Sequence, residues 1–220
     1  MDSISDLCPL FGLRIETPRV RLRVPREADL PALARAARSI GERGEPQFQL
    51  PWMYEPSPAL ERQLMCRYWR TLADWSPGGW HLLLGVFVGE RPIGMQSLWA
   101  SDFARLRSVG TGSWISRVEQ RRGYGTEARA AVLDLAFAEL GAVEARTEYL
   151  DGNHASERIS RKLNYVENGC QQAYRNDAGR VTEHRMRLDR EAWLSGNLGA
   201  RCVITGIRPC LPMFGLDAAR

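Results

Sequence analysis

Trp114-Ile115-Ser116-Arg117-Val118-Glu119-Gln120-Arg121-Arg122-Gly123-Tyr124-Gly125-Thr126 decides the reading of this chain, because it leads from an apolar strand into an Ala/Leu-rich helix that reaches Leu140. It sets a turn of arginine and glycine at a helix N-terminus. There the first N–H groups have no intrahelical acceptor, and the helix dipole favours negative charge. Glycine permits positive φ and lets a ligand approach the backbone closely. Arg121 and Arg122 add cationic forks that match phosphate oxygens. The guest that suits such a turn is a pyrophosphate.

The residues before the glycines narrow the choice of pyrophosphate. Gly123-x-Gly125-x-x-Ala128 also satisfies a dinucleotide fingerprint, and Glu148 stands about 20 residues on, where that motif places an acid for a ribose. In a dinucleotide fold, however, an apolar strand feeds directly into the first glycine. Here Glu119-Gln120-Arg121-Arg122 intervenes after the strand Ser113-Trp114-Ile115 has ended. A P-loop is excluded, since no Gly-Lys-Ser/Thr follows. Gln120 to Gly125 instead resembles, at every fixed position, the acyl-CoA loop of the GNAT acyltransferases, Gln/Arg-x-x-Gly-x-Gly/Ala.

Further segments carry the same resemblance in the same order. Asp151-Gly152-Asn153-His154-Ala155-Ser156 and then Arg161-Lys162-Leu163-Asn164-Tyr165 are similar to the Asn-x-x-Ser helix start and Lys-Leu-Gly-Phe helix end of the RimJ/RimL-type branch. Glu16-Thr17-Pro18-Arg19-Val20-Arg21-Leu22-Arg23 is similar to that branch's opening strand, Thr-Pro-Arg-Leu-x-Leu-Arg. The helix after Gly123 and the tail Arg208-Pro209-Cys210-Leu211-Pro212-Met213-Phe214-Gly215 resemble mycobacterial-type members that use succinyl-CoA. The resemblance implies an α/β (α+β) GNAT fold, a central mixed and mostly antiparallel sheet splayed between its fourth and fifth strands, with helices on both faces. It implies an acyltransferase domain over residues 14–190. A helix and arm over 191–220 follow, available to an oligomer interface, and a homodimer or higher homo-oligomer is expected.

Composition sets outer bounds. With 220 residues, 44% of them apolar, the chain can bury one substantial core. No apolar run approaches a membrane span, and the N-terminus lacks a signal pattern, so a soluble cytoplasmic protein is expected. Cys8, Cys66, Cys170, Cys202 and Cys210 have neither metal nor CxxC spacing, which points to reduced thiols and no metal. The net charge of +4 is mild, and Lys162 is the only lysine. Basic residues are spread along the chain without a dense stripe, so a nucleic-acid face is not expected.

Periodicity predicts the elements. Arg19 to Val24 alternates as a half-buried strand, and Leu30, Leu33 and Ala37 mark a short helix. Gly41 to Pro58 reads as a loop with at most one helical turn, and the resemblance implies an acceptor pocket there, with Phe48, Trp52 and Tyr54 as its wall or as dimer contacts. Leu60, Leu64, Arg67/Tyr68 and Leu72 recur at helical spacing. Strands follow at Leu82–Val88, Ile93–Trp99, Thr111–Ser116 and Val143–Leu150, with a hairpin turn at Gly89-Glu90-Arg91-Pro92. Ala155, Ile159 and Leu163 give another helix its buried stripe. Two late strands, near Gln171–Arg175 and Val181–Leu188, flank a turn at Asn176-Asp177-Ala178-Gly179.

Acyl transfer from a thioester needs a nucleophilic amine, donors for the oxyanion and an acid for the leaving thiolate. The resemblance assigns pantetheine and carbonyl contacts to the main chain of Trp114, Ile115 and Arg117, although Trp114 and Ile115 side chains also suit a core. It assigns the pyrophosphate to Gln120, Arg121, Arg122, Gly123, Tyr124, Gly125 and Thr126. Glu127 is expected to hydrogen-bond structurally at the helix start. Asn153 is either a pantetheine contact or a helix N-cap, and Ser156 either the acid for the thiolate or a capping partner. Glu148, Asp102 and His81 are the candidates for a base, beside deprotonation relayed by water. The function expected is N-acyl transfer from acetyl-CoA or succinyl-CoA to a primary amine of a small molecule or a protein N-terminus. A GNAT-fold transferase using aminoacyl-tRNA and a CoA-binding sensor are the alternatives.

Overall fold

This computed structural model describes residues 3–41, 51–175, 179–196 and 202–217. Two short strands, β1 (Arg14–Glu16) and β2 (Arg21–Arg23), pair antiparallel and set Ile15 opposite Leu22, both fully buried. The long hairpin of β3 (Gly79–Val88) and β4 (Arg91–Ser101) forms the centre of the sheet. Pro92 to Gln96 are buried at every successive position. Because neighbouring strand residues point to opposite faces, such a run needs cover on both sides. α2 (Leu30–Gly41) and α5 (Tyr124–Asp134) both pack against β4, while α3 (Ala59–Ala73) lies on β3 with Leu60, Leu64 and Tyr68 inward.

The remaining strands are β5 (Ser108–Ile115), β6 (Glu144–Leu150), β7 (Val166–Arg175), β8 (Gly179–Asp189) and β9 (Val203–Thr205). Among the described residues the sheet order is β7-β8-β6-β5-β4-β3-β2-β1-β9, and only β5 and β6 run parallel. These two strands pair from Ser108↔Glu144 to Gly110↔Arg146 and then part. They are the fourth and fifth strands of the expected order, since the expected order began at Arg19 and left out β1. Two threonines close the crotch of the V. Thr147 Oγ1 donates to Thr111 O at 3.0 Å, and Thr111 Oγ1 donates to Arg146 O at 3.3 Å. Side-chain bonds thus replace the ladder where it stops, and a wedge opens beyond them.

α1 (Ile4–Leu7), α4 (Phe103–Leu106), α6 (His154–Lys162) and α7 (Arg190–Ser195) complete the helices. The helix after Gly123 is not α-helical to Leu140. It changes to a π turn over Leu135–Glu139 before Gly141 ends it. The arm beyond α7 is built into the same core. β9 adds to β1, and the 3₁₀ segment Arg208–Phe214 lays fully buried Phe214 edge-on to Trp75 and Trp80, at 5.4 and 4.8 Å. Trp75 Nε1 donates to Met213 O at 2.8 Å. Phe48 and the turn residues Asn176, Asp177 and Ala178 lie outside the described residues. The described end of that loop does form a single 3₁₀ turn, Pro51–Tyr54. No described helix is long and apolar enough to cross a membrane.

Candidate active site

A cavity of about 880 Å³ follows the wedge, from the N-terminus of α5 at one end to α3 and the start of β3 at the other. At the first end Arg121 has φ 62 and Gly123 φ 85, so the turn passes through the left-handed region twice before the helix begins. No side chain caps α5, which leaves the N–H groups of its first turn to a ligand. Gln120 is held by its Nε2 donating to Ile115 O at 2.9 Å. Arg121, Gly123, Tyr124, Gly125 and Thr126 line the cavity. Arg122 does not; it turns to the buried carboxylate of Glu119, at 3.3 Å.

Thr17 and Arg19 brace this turn from the connection between β1 and β2. Glu127 accepts from Thr17 Oγ1 at 2.6 Å, from Arg19 N at 3.1 Å and from Arg19 Nε at 2.6 Å. Arg19 Nη1 also donates to Arg122 O at 3.0 Å. The Glu127 charge is therefore spent on Arg19, so beside an anion site it presents an ion pair instead of a bare carboxylate. The Thr-Pro-Arg segment, read as a strand opening, works as a clamp on the turn.

Main-chain geometry along β5 follows from one bond. Ser116 N donates to Ile93 O on the β4 side at 2.7 Å. The β4–β5 register is regular back to Gly110, so alternation turns Trp114 toward β4 and Ser113 and Ile115 into the wedge. Thr111 O, met by Thr147 from the wedge side, obeys the same alternation. Arg117 N donates to Ser39 Oγ at 3.0 Å. Of the three residues expected to make main-chain contacts, Ile115 turns its N–H into the wedge and Trp114 and Arg117 do not, while Ser113 also faces it.

Across the wedge, α6 presents its first turn. Asn153 is its N-cap, with Oδ1 accepting from Ser156 N at 3.1 Å, and both residues line the cavity. Ser156 Oγ bonds to no described residue. Behind it, Ser160 Oγ donates to Ser156 O at 2.9 Å. Ser160 is in turn held by Arg129, a residue with no assigned role in the sequence reading. Arg129 is 3% exposed, lines the cavity, and donates from Nη1 to Ser160 Oγ at 3.0 Å and from Nη2 to Ser113 Oγ at 3.1 Å. It pairs with no carboxylate among the described residues, and burial pushes its pKa down. One guanidinium thus spans from β5 to α6. The sequence signal was a lone charge inside Ala128-Arg129-Ala130-Ala131, a run of buried positions.

The three base candidates separate. Glu148 on β6 lines the cavity. Its pKa is raised, chiefly by burial and then by the neighbouring carboxylate of Glu183, with which it shares a hydrogen bond. Glu183 on β8 is buried and also accepts from Gln171 Nε2 at 2.6 Å. His81 lines the other end of the cavity against Trp99, ring centres 5.5 Å apart. Burial, reinforced by Arg67, lowers its pKa to about 4. Asp102 is exposed at φ 48 in the turn before α4 and does not line the cavity.

Comparison with known proteins decides between cofactor classes. The model of the acetyltransferase (GNAT) domain family matches residues 19–166. The chain belongs to the GNAT family. Solved structures share the GNAT fold. One is the RimL ribosomal L7/L12 alpha-N-protein acetyltransferase in complex with coenzyme A, with a TM-score of 0.66 at 14% identity over 80% of this chain and 97% of that one. Mycobacterium smegmatis RimJ in complex with CoA-disulfide gives 0.66 at 19% identity over 83% and 90%. A GCN5-related N-acetyltransferase from Brucella melitensis gives 0.65 at 17% identity over 82% and 80%. This GNAT protein is accordingly an acyltransferase, with acyl-CoA as its donor. In a GNAT enzyme the uncapped α5 turn and the open wedge fit the two halves of CoA. The diphosphate matches the first, and the amide-bearing arm matches the second.

Proposed function

We propose that this GNAT enzyme transfers an acetyl or succinyl group from acyl-CoA to a primary amine by direct attack in a ternary complex. What carries the reading is one cavity that joins an uncapped helix N-terminus, a strand with inward N–H groups and a carboxyl group of raised pKa. The α5 N–H groups with Arg121 hold the diphosphate. Ser113 and Ile115 offer N–H groups to the arm and the reacting carbonyl, where preorganised donors favour the developing oxyanion. CoA supplies a thioester, an activated acyl group with a good leaving thiol.

Glu148 receives the proton of the attacking amine. Burial and the neighbouring Glu183 carboxylate raise its pKa, which makes it a stronger base than an ordinary carboxylate. Ser156 Oγ, without a hydrogen-bond partner among the described residues and set on the cap of α6, gives a proton to the thiolate. Asn153 fixes that hydroxyl by capping the turn. The acceptor is a small-molecule amine or a protein N-terminus, and the protein works as a homo-oligomer in the cytoplasm, where its free thiols stay reduced. Thiol release with acetyl-CoA and succinyl-CoA over a panel of amines tests the reading. Absence of binding or turnover with any acyl-CoA overturns it. Tight CoA binding without transfer would favour a sensor, and RNase-sensitive transfer an aminoacyl-tRNA donor.

A further inference from the structure

The end of the cavity remote from α5 carries a charge that nothing in the described protein neutralises. Arg67 on α3 is half-buried there, and its pKa is lowered first by burial and then by the neighbouring cation of Arg70. Neither arginine forms an ion pair among the described residues, and Asp74, on the same wall, pairs with neither. His81 stands close enough to feel Arg67, is uncharged at neutral pH, and has a buried Nε2 without a hydrogen-bond partner. A half-buried cation beside another cation raises the free energy of the empty protein. An anion placed against it recovers that loss, with charge-assisted hydrogen bonds in addition.

We infer that this lobe takes an amine acceptor carrying a carboxylate, seated against Arg67 with the His81 ring beside it, while the body of the acceptor lies between Trp52 and Trp99. The assignment rests on the acyltransferase reading above and names the class of acceptor. The alternative source of a carboxylate is the far end of a dicarboxylic acyl donor. Two tryptophans wall the approach to Arg67, more apolar surface than a short acyl chain can cover. Trp99 is fixed in that wall by Gly110, where a Cβ would come within 2.2 Å of the indole. An aromatic or apolar spacer between amine and carboxylate fits the lobe.

The test uses calorimetry on the full chain saturated with CoA, titrated with 4-(aminomethyl)benzoate and with its uncharged partner 4-(aminomethyl)benzamide. The benzoate is expected to bind at least about tenfold more tightly, the worth of one hydrogen bond to a charged group. Arg67→Met abolishes that preference, Arg67→Lys retains part of it, and CoA affinity stays at its wild-type value in both variants. Equal or undetectable binding of the two probes with CoA binding intact overturns the inference, as does a preference that survives Arg67→Met. So does an Arg67 dependence found only when succinyl-CoA is compared with acetyl-CoA, which moves the carboxylate to the donor. Wild-type protein that binds no CoA overturns the acyltransferase reading itself.

Discussion

Replacing Arg129 with methionine should cost activity and spare stability. The guanidinium is 3% exposed, and its Nε is buried without a partner. Burying a cation costs several kcal/mol even after the protein relaxes. Its two hydrogen bonds to the Ser113 and Ser160 hydroxyls return about 1.5–3 kcal/mol each, and the orphaned Nε takes back about 1–3 kcal/mol. The balance lies near zero or below it. Methionine fills a similar volume without a charge, so Arg129→Met should be neutral or stabilising by up to about 2 kcal/mol, seen as a Tm unchanged or raised by several degrees. The same change cuts the tie between β5 and α6, on which the inward N–H groups and Ser156 depend. A displacement of about 1 Å between catalytic groups can lower rates by about a hundredfold, so kcat/KM should fall by about 10- to 100-fold. Thermal melts beside thiol release with acetyl-CoA read both quantities. A Tm lowered by more than about 5 °C with activity per folded molecule unchanged would refute the reasoning and make Arg129 a structural pillar only.

Ser156→Ala should lower kcat by about 10- to 100-fold with KM for the donor near wild type, since the hydroxyl is assigned to the departing thiolate and not to binding. Glu148→Gln should erase the acid limb of the pH–rate profile. The base works deprotonated, so wild-type kcat/KM rises as pH passes upward through the Glu148 pKa, which stands above the usual carboxylate value. A limb unchanged in the Gln variant would remove Glu148 from the mechanism. Gly123→Ala forces a side chain into φ 85 and sets a Cβ 3.1 Å from Arg19 Nη2. At about 1–2 kcal/mol of strain, CoA should bind about 5- to 30-fold more weakly, measured by titration calorimetry.

Local chemistry was legible and distant pairing was not. The turn at Gln120 to Gly125 is specified by residues next to one another, so a short window carried it. Asn164 stands where the resembled motif has glycine and adopts φ 62, as asparagine's tolerance of the left-handed region allows. Helices were found because their stripes recur within each segment. β1 and β9 are three residues each, too short to show alternation, and they meet only through the folded sheet. The V between β5 and β6 leaves no mark on either strand's own pattern. Arg129 and Arg67 did leave one. Each is a cation within a buried helical stripe, a place where a charge needs a reason. Glu183 left none, because its pairing with Glu148 depends on how β8 lies beside β6.

The pairing of Ile15 with Ile204 joins the first described strand to the last described one. During synthesis β1 emerges well before its outer neighbour, which follows every other described strand. The donor turn and its Arg19–Glu127 brace need nothing beyond α6, so they can assemble while the tail is still being made. Trp75 and Trp80, stacked with ring centres 6.0 Å apart, lack their edge-on partner until Phe214 arrives, and Trp80 belongs to the acceptor end of the cavity. Closing so long a loop adds little entropy over a shorter one, about 0.6 kcal/mol per doubling. The order of assembly is therefore set by the timetable of translation more than by loop length. A chain interrupted before Val203 would keep its grip on the donor and lose the packing behind Trp80 at the acceptor end of the cavity.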